Sequence, residues 1–156
     1  MSEPSKKTGL IHENARTEEQ KKLMAQIEQD GVCPFCAEHF KKYHPKPIIK
    51  ETDSWFLTTN MSPYEGTTYH FLFVYKKAHV ISPSEITPES RADLFDLINW
   101  TVEKYDIKGG SFFMRFGDHH YTGGSVEHLH THLIVGDTDE SSQDAIRVKL
   151  GWKVAS

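Results

Sequence analysis

The sequence is most informative at residues 123–134, which read Gly-Gly-Ser-Val-Glu-His-Leu-His-Thr-His-Leu-Ile. His128, His130 and His132 are spaced two apart, and side chains at that spacing in a β-strand point to the same face of a sheet. One histidine in a strand is most often structural. Three on one face repel one another when protonated, so the row favours a role with metal, phosphate or catalysis.

Small residues precede this row. Gly123, Gly124 and Ser125 form a loop whose backbone N–H groups are able to approach a phosphate closely and donate to it, although a plain hairpin connection is the alternative. Together, the loop and the histidines indicate nucleophilic attack on phosphorus by an imidazole. A neutral imidazole can attack when one nitrogen donates its proton to a carbonyl and the other keeps its lone pair.

The remaining pattern predicts an α+β domain around an antiparallel sheet. One helix is expected from Thr17 to the stop at Asp30-Gly31, and the main helix opens at Ser84 or Thr87, with Pro88 at its first position. Strands are predicted over residues 48–51, 55–59, 67–75, 111–116, 125–135 and 146–154. Residues 1–14 are predicted to be a flexible tail and residues 15–156 a single domain.

Charge and composition exclude several classes of protein. The 156 residues include 18 basic and 22 acidic side chains, a net charge of -4, which gives no support to a nucleic-acid partner. No apolar run approaches the roughly 18 residues of a membrane span, and the first residues lack the apolar stretch of a secretory signal. We therefore expect a cytoplasmic protein without a membrane partner.

The two cysteines form a single Cys-Pro-Phe-Cys motif, Cys33 to Cys36. Such a pair supplies two thiolates, half of a tetrahedral zinc site. A local zinc knuckle that adds His39 or His44 is one alternative. A redox dithiol is another, because the motif resembles a glutaredoxin active site, but that motif should follow a strand and here it follows a predicted helix end.

Residues 123–134 resemble the signature of the histidine-triad (HIT) family of nucleotidyl hydrolases and transferases. Asn60-Met-Ser-Pro and residues 70–79 are similar to the nucleoside-binding loop and the following strand of that family, so the resemblance covers about residues 33 to 136. It implies an α+β fold with an antiparallel sheet of about five strands and one main helix, here with an extra N-terminal helix and a C-terminal strand. It also implies a homodimer with a continuous sheet, and hydrolysis or transfer at the α-phosphorus of a nucleotide.

The resemblance further assigns roles to site residues. His130 would be the nucleophile and form a nucleotidyl-histidine intermediate. His132 and Ser125 would contact phosphate oxygens, and Ser125 or a neighbouring group would assist the leaving group. Asn60 stands where the family commonly has an acidic residue on the ribose, and Gly124 where many members carry a glutamine near the phosphate.

Several further residues complete the predicted site. Gly123 would offer its backbone to the phosphate, and Arg115 is a candidate for a distal phosphate, although a solvated hairpin edge explains Arg115 equally well. By resemblance, the ligands of a structural zinc would be Cys33, Cys36, His79 and His128, and no organic cofactor is expected.

Two substrate classes remain open: a dinucleoside polyphosphate such as diadenosine tetraphosphate, and a nucleoside phosphoramidate. A nucleotide-binding signalling or scaffold module with little turnover is the non-enzymatic alternative. A third interpretation makes all the histidines metal ligands and requires more than one metal per chain.

Overall fold

The computed structural model describes residues 17–139, 141 and 144–156, so the predicted tail over residues 1–14 lies outside the described residues. The helices are α1 (Glu18–Asp30), α2 (Ala37–Tyr43) and α3 (Pro88–Lys104), with a 3-10 turn at Pro83–Glu85. The strands are β1 (Lys50–Glu51), β2 (Trp55–Thr59), β3 (Tyr69–Tyr75), β4 (Ser111–Met114) and β5 (His130–Val135). None of the helices in this described part of the chain is long and apolar enough to cross a membrane.

The sequence signals at the helix ends act as predicted. The Thr17 side chain accepts a hydrogen bond from the backbone N–H of Gln20, and Gly31 ends α1 with a φ of 70°. Thr87 caps α3 in the same way through the N–H of Ser90, and Pro88 occupies the first turn. Both helices therefore begin where a side-chain oxygen replaces a missing backbone partner.

The five strands form one antiparallel sheet in the order β1-β2-β3-β5-β4. This α+β architecture confirms the predicted fold class. One face of the sheet packs against α3, where Leu94, Leu97 and Ile98 meet buried strand residues such as Phe71 and Phe73. The other face carries the histidines, and Phe40 of α2 packs on part of it.

Register places the central histidines on this second face. Leu72 of β3 lies opposite His132, and Val74 lies opposite His130, so these side chains share a face. Leu129 and Leu133, by contrast, belong to the core under α3. The period of two in the sequence therefore sorts the apolar residues into the core and the histidines into the site.

Three parts of the predicted secondary structure need correction. Strand β5 begins at His130 rather than at residue 125, because the Leu129 N–H donates to the Val80 carbonyl and the chain before it leaves the ladder. Helix α2 was not predicted, since its seven residues are too few to show a clear helical period.

The predicted C-terminal strand over residues 146–154 is wrong, because residues 144–156 contain neither helix nor strand. This segment crosses the surface beside the glycine-rich loop instead of joining a sheet edge. Its backbone carbonyl at Lys149 accepts from Arg115, the Trp152 indole donates to the His120 carbonyl, and Gly151 has a φ of 145° that interrupts the extended run.

Candidate active site

His130 lies at the start of β5 with its ring orientation fixed by the backbone. Its Nδ1 is 2.5 Å from the carbonyl oxygen of His128, so Nδ1–H donates to that oxygen. A neutral ring with its proton on Nδ1 keeps a lone pair on Nε2. His130 is buried, and this burial lowers its pKa to about 3, which maintains the neutral form.

A second chain of hydrogen bonds orients His132. The backbone N–H of Tyr64 donates to Nδ1 of His70 at 3.1 Å, so the proton of neutral His70 lies on Nε2. That nitrogen is 2.8 Å from Nδ1 of His132, which therefore acts as acceptor and leaves the His132 proton on Nε2. The Phe113 ring stacks on His132 with centroids 4.7 Å apart and holds the plane of the ring.

His130 and His132 thus have complementary forms. Their ring centroids are 5.1 Å apart on the same face, one ring with a lone pair on Nε2 and the other with a proton there. A nucleophile and a hydrogen-bond donor side by side suit attack on a phosphoryl group. Sequence reasoning did not single out His70, although a polar residue inside the apolar strand β3 was an available signal.

The glycine-rich loop leaves no room for side chains at its two glycines. A Cβ atom at Gly124 would lie 2.6 Å from Nδ1 of His119 and 2.9 Å from Cδ of Arg115. Gly123 has a φ of 75°, and a Cβ atom there would lie 2.3 Å from Cδ of Lys149. Close packing against His119 and Arg115 therefore favours glycine at position 124, while the positive φ favours glycine at position 123.

His119 fills the space beside Gly124. Only 1% of its surface is exposed, and its ring centroid is 6.2 Å from that of His130. Burial, with the nearby Arg115 charge, lowers the pKa of His119 to about 4. Nothing in the local sequence pattern around His119 indicates that this side chain is buried.

Arg115 is buried and connects three parts of the site. Its guanidinium donates to the Tyr64 hydroxyl at 3.2 Å, to the Thr122 carbonyl at 3.3 Å and to the Lys149 carbonyl at 2.5 Å. These bonds join the loop after β2, the glycine-rich loop and the C-terminal segment. Arg115 is thus not part of a solvated hairpin edge.

Asn60 lies at the end of β2 and is also held by local bonds. Its Oδ1 accepts a hydrogen bond from the Ser62 N–H at 2.8 Å. Its Nδ2 lies 3.2 Å from Nε2 of His70, a packing contact rather than a hydrogen bond because both nitrogens carry hydrogen. This arrangement resembles the Asx turns that asparagine forms in loops. Asn60 is thus fixed beside the histidine network.

One cavity of about 1010 Å³ gathers these groups. All seven residues predicted for catalysis or substrate binding line it: Asn60, Arg115, Gly123, Gly124, Ser125, His130 and His132. Helix α1 and the C-terminal segment from Asp144 to Lys149 also line this cavity. The sequence did not predict that either segment borders the site.

The four predicted metal ligands come together behind His130. Nδ1 of His128 lies 3.4 Å from Sγ of Cys33, 3.7 Å from Sγ of Cys36 and 3.3 Å from Nδ1 of His79. The Cys36 sulfur is 3.6 Å from Nδ1 of His79. A tetrahedral ion with Zn–S bonds of about 2.3 Å and Zn–N bonds of about 2.0–2.1 Å would separate its ligands by about 3.3–3.8 Å, so the donor set fits such an ion.

A hydrogen bond from the other ring nitrogen of His128 also favours this group of residues as metal ligands. Nε2 of His128 lies 2.6 Å from the Tyr75 carbonyl, so this nitrogen carries the proton and Nδ1 turns its lone pair to the cysteines. His44 is held elsewhere, with Nε2 3.0 Å from Thr58 Oγ1 and from the Thr59 carbonyl. Among the described residues, neither His39 nor His44 belongs to the group that contains the cysteines.

Comparison with known proteins identifies the family. A family model described as HIT domain matches residues 41–139. The chain belongs to the HIT family. A search of curated proteins found no match.

Solved structures support the HIT fold. A protein described as "Hit Like Protein" is 27% identical, with a TM-score of 0.53, and the match covers 65% of this chain and 96% of that one. A HIT family hydrolase from Clostridium thermocellum is 26% identical, with a TM-score of 0.50 and coverage of 66% and 89%. A zinc-bound histidine triad family protein from Mycobacterium smegmatis is 16% identical, with a TM-score of 0.53 and coverage of 74% and 81%.

Proposed function

We propose that this HIT protein cleaves its substrate at a nucleoside α-phosphate through a nucleotidyl-histidine intermediate on His130. The hydrogen bond from His130 Nδ1–H to the His128 carbonyl is the observation that carries this proposal. It keeps the lone pair on Nε2 of a buried, neutral ring, the form that an imidazole nucleophile requires. The name of the Clostridium thermocellum structure, a HIT family hydrolase, supports hydrolysis as the reaction class.

The proposed reaction has two steps. In the first, the Nε2 lone pair of His130 attacks the α-phosphorus, an N–P bond forms, and the bond from phosphorus to the leaving group breaks. The leaving group departs with the electron pair of that bond and takes up a proton from solvent, relayed by Ser125 or a neighbouring group. In the second, water attacks phosphorus and releases a proton to solvent, the N–P bond breaks and returns its electron pair to Nε2, and the products are a nucleoside monophosphate and neutral His130.

The neighbouring residues stabilise charge and place the substrate. Nε2–H of His132 and the hydroxyl of Ser125 donate to phosphate oxygens, and Ser125 assists the leaving group. Asn60 bonds the ribose, while Gly123 and Gly124 let the phosphate approach the backbone. Arg115 borders the distal phosphate, which suits a dinucleoside polyphosphate; a nucleoside phosphoramidate is the other substrate class that we propose.

We also propose that Cys33, Cys36, His79 and His128 bind one structural zinc ion. The ligand separations given above support this, as does the name of the zinc-bound Mycobacterium smegmatis protein. When bound, the ion supplies a closed tetrahedral crosslink between the cysteine loop and the chain before β5. The chemistry at phosphorus belongs to the residues in the cavity.

A homodimer with a continuous sheet is supported by the exposed edge at β4. Phe112 of β4 is 50% exposed and Phe95 of α3 is 54% exposed, and their rings make an edge-to-face pair. An apolar pair beside an unpaired strand edge suits a second copy of the chain. Cytoplasmic location stays a prediction from the sequence.

Product analysis tests the proposed reaction. Wild type and His130→Ala are each given diadenosine tetraphosphate and an adenosine phosphoramidate, and AMP release is measured. We expect wild type to release AMP from at least one substrate and the variant to be slower by on the order of 10³-fold or more. Mass spectrometry after an alkaline quench should show one AMP bound to wild type and none bound to the variant.

Nucleotide binding without cleavage would favour the non-enzymatic alternative. If both proteins bind AMP and neither cleaves either substrate, the enzymatic proposal is wrong. The chain would then be a nucleotide-binding signalling or scaffold protein. If wild type is active, the substrate that it cleaves faster indicates which of the two substrate classes it prefers.

A further inference from the structure

We propose that Gln20 is a positioning residue of this active site, acting from α1 on the hydroxyl of Ser125; this inference rests on the function proposed above. Helix α1 precedes residues 41–139, where the family model matches. Gln20 nevertheless lines the cavity that holds His130 and His132. Its amide Nε2 donates to Ser125 Oγ at 3.2 Å, across 105 positions of the chain.

The packing of α1 holds this amide in place. Gln20, Met24 and Ile27 recur at helical spacing on one face of α1, and Met24 and Ile27 are each only 3% exposed. Met24 and Ile27 form a hydrophobic cluster with Tyr43, and Val126 packs against this cluster. Because Val126 follows Ser125 directly, the contact that anchors α1 also fixes the distance from Gln20 to the Ser125 hydroxyl.

The contact directs the Ser125 hydroxyl proton. A serine hydroxyl has one proton to donate and two lone pairs to accept with. The Gln20 amide N–H occupies one lone pair, so the hydroxyl proton points away from Gln20 and is available to a phosphoryl oxygen or a leaving group in the cavity. Gln20 itself needs no contact with the substrate to have this effect.

The glycine-rich loop cannot supply this contact from its own side chains. A Cβ atom at Gly124 would meet His119 and Arg115, and one at Gly123 would meet Lys149. The side chain that bonds Ser125 therefore comes from a helix distant in sequence. We infer that α1 is part of the active site, because it lines the cavity and positions Ser125 through Gln20.

The test removes the amide group of Gln20 and keeps a side chain of similar volume. Gln20→Met retains a side chain of similar length and helix propensity but has no N–H donor. Gln26→Met is the matched control, because Gln26 lies on the exposed side of the same helix and bonds only within α1, to Asp30 at 3.1 Å. Rates with diadenosine tetraphosphate and an adenosine phosphoramidate are measured for both variants, alone and combined with Ser125→Ala.

We expect Gln20→Met to lower kcat by about 3- to 10-fold, the loss of one hydrogen bond, with little change in KM. Gln26→Met should keep the wild-type rate, and melting temperatures should show that both variants fold. In the Ser125→Ala background the Gln20 substitution should have no further effect, because the hydroxyl on which it acts is gone.

Other results overturn the inference. Equal rates for the two methionine variants exclude a positioning role, and an undiminished Gln20 effect in the Ser125→Ala background excludes action through Ser125. If wild type cleaves neither substrate, the proposed function fails and this inference falls with it. That outcome is distinct from an active wild type whose rate does not depend on Gln20.

Discussion

Substitution of Gly124 by alanine tests the packing beneath the glycine-rich loop. The added methyl would lie 2.6 Å from His119 Nδ1 and 2.9 Å from Arg115 Cδ, closer than non-bonded atoms normally approach. Neither neighbour moves easily, since His119 is 1% exposed and Arg115 is 8% exposed and bonded to three oxygen atoms. The variant must therefore shift a buried ring or break bonds of the guanidinium.

Two effects of opposite sign determine how much Gly124→Ala changes the free energy of unfolding. Overpacking of a close-packed interior costs about 1–3 kcal/mol. Loss of glycine freedom in the unfolded chain contributes about 0.4–1 kcal/mol in favour of the variant. Gly109→Ala isolates the second term, because a Cβ atom there meets nothing within 4 Å. The difference between the two alanine variants therefore measures the steric cost, about 1–3 kcal/mol.

Urea unfolding at neutral pH provides the assay. We expect Gly109→Ala to be neutral or slightly more stable than wild type and Gly124→Ala to be less stable than Gly109→Ala. Thermal midpoints should differ by about 3–9 °C. The double variant Gly124→Ala/His119→Ala should recover part of the loss if the imidazole is the obstacle. Equal free energies of unfolding for the two single alanine variants would show that His119 and Arg115 do not fill the space beside Gly124.

Three further perturbations address the metal, the sheet edge and pH. Purified protein should contain about one zinc per chain, a strong chelator should lower its melting temperature, and Cys36→Ser should abolish that response; zinc retained at full stoichiometry in Cys36→Ser would contradict the ligand assignment. Phe112→Asp should shift the sedimentation coefficient from dimer to monomer, and an unchanged coefficient would place any dimer contact elsewhere. Burial lowers the pKa of His44 to about 4, so the unfolded chain binds a proton that the native state does not between about pH 4 and pH 6.5. The free energy of unfolding should therefore fall as the pH is lowered through that window, and His44 should account for about 1–3 kcal/mol of the fall. Urea unfolding at several pH values should show a smaller fall for His44→Gln than for wild type. Identical pH profiles of the two proteins would refute this contribution.

Local sequence signals were sufficient for much of the framework. Thr17 and Gly31 define α1 because capping depends on side chains within a few positions of the helix end. The period of two places His130 and His132 on one face because strand geometry is regular. Both features follow from the local sequence, without knowledge of distant contacts.

The contacts that complete the site depend on distant parts of the chain. Gln20 meets Ser125 across 105 positions, and no periodic pattern in α1 indicates that partner. The alternation in residues 146–154 predicted a strand, but the segment finds its hydrogen-bond partners on Arg115 and His120 instead of a strand edge. Alternation shows that a segment has two unlike sides, and tertiary structure decides whether it joins a sheet.

His128 connects the proposed metal ligands to the proposed nucleophile within a single residue. Its Nδ1 lies 3.4 Å from the Cys33 sulfur, and its backbone carbonyl accepts a hydrogen bond from Nδ1–H of His130. The ring position and the carbonyl direction are coupled through the same backbone, so ligands that hold the ring would also hold the acceptor that sets the His130 tautomer. Cys33 also follows Gly31, the cap of α1, by two residues. The proposed ligand group would therefore anchor two borders of the cavity: the peptide that orients His130, and the end of the helix that carries Gln20 to Ser125.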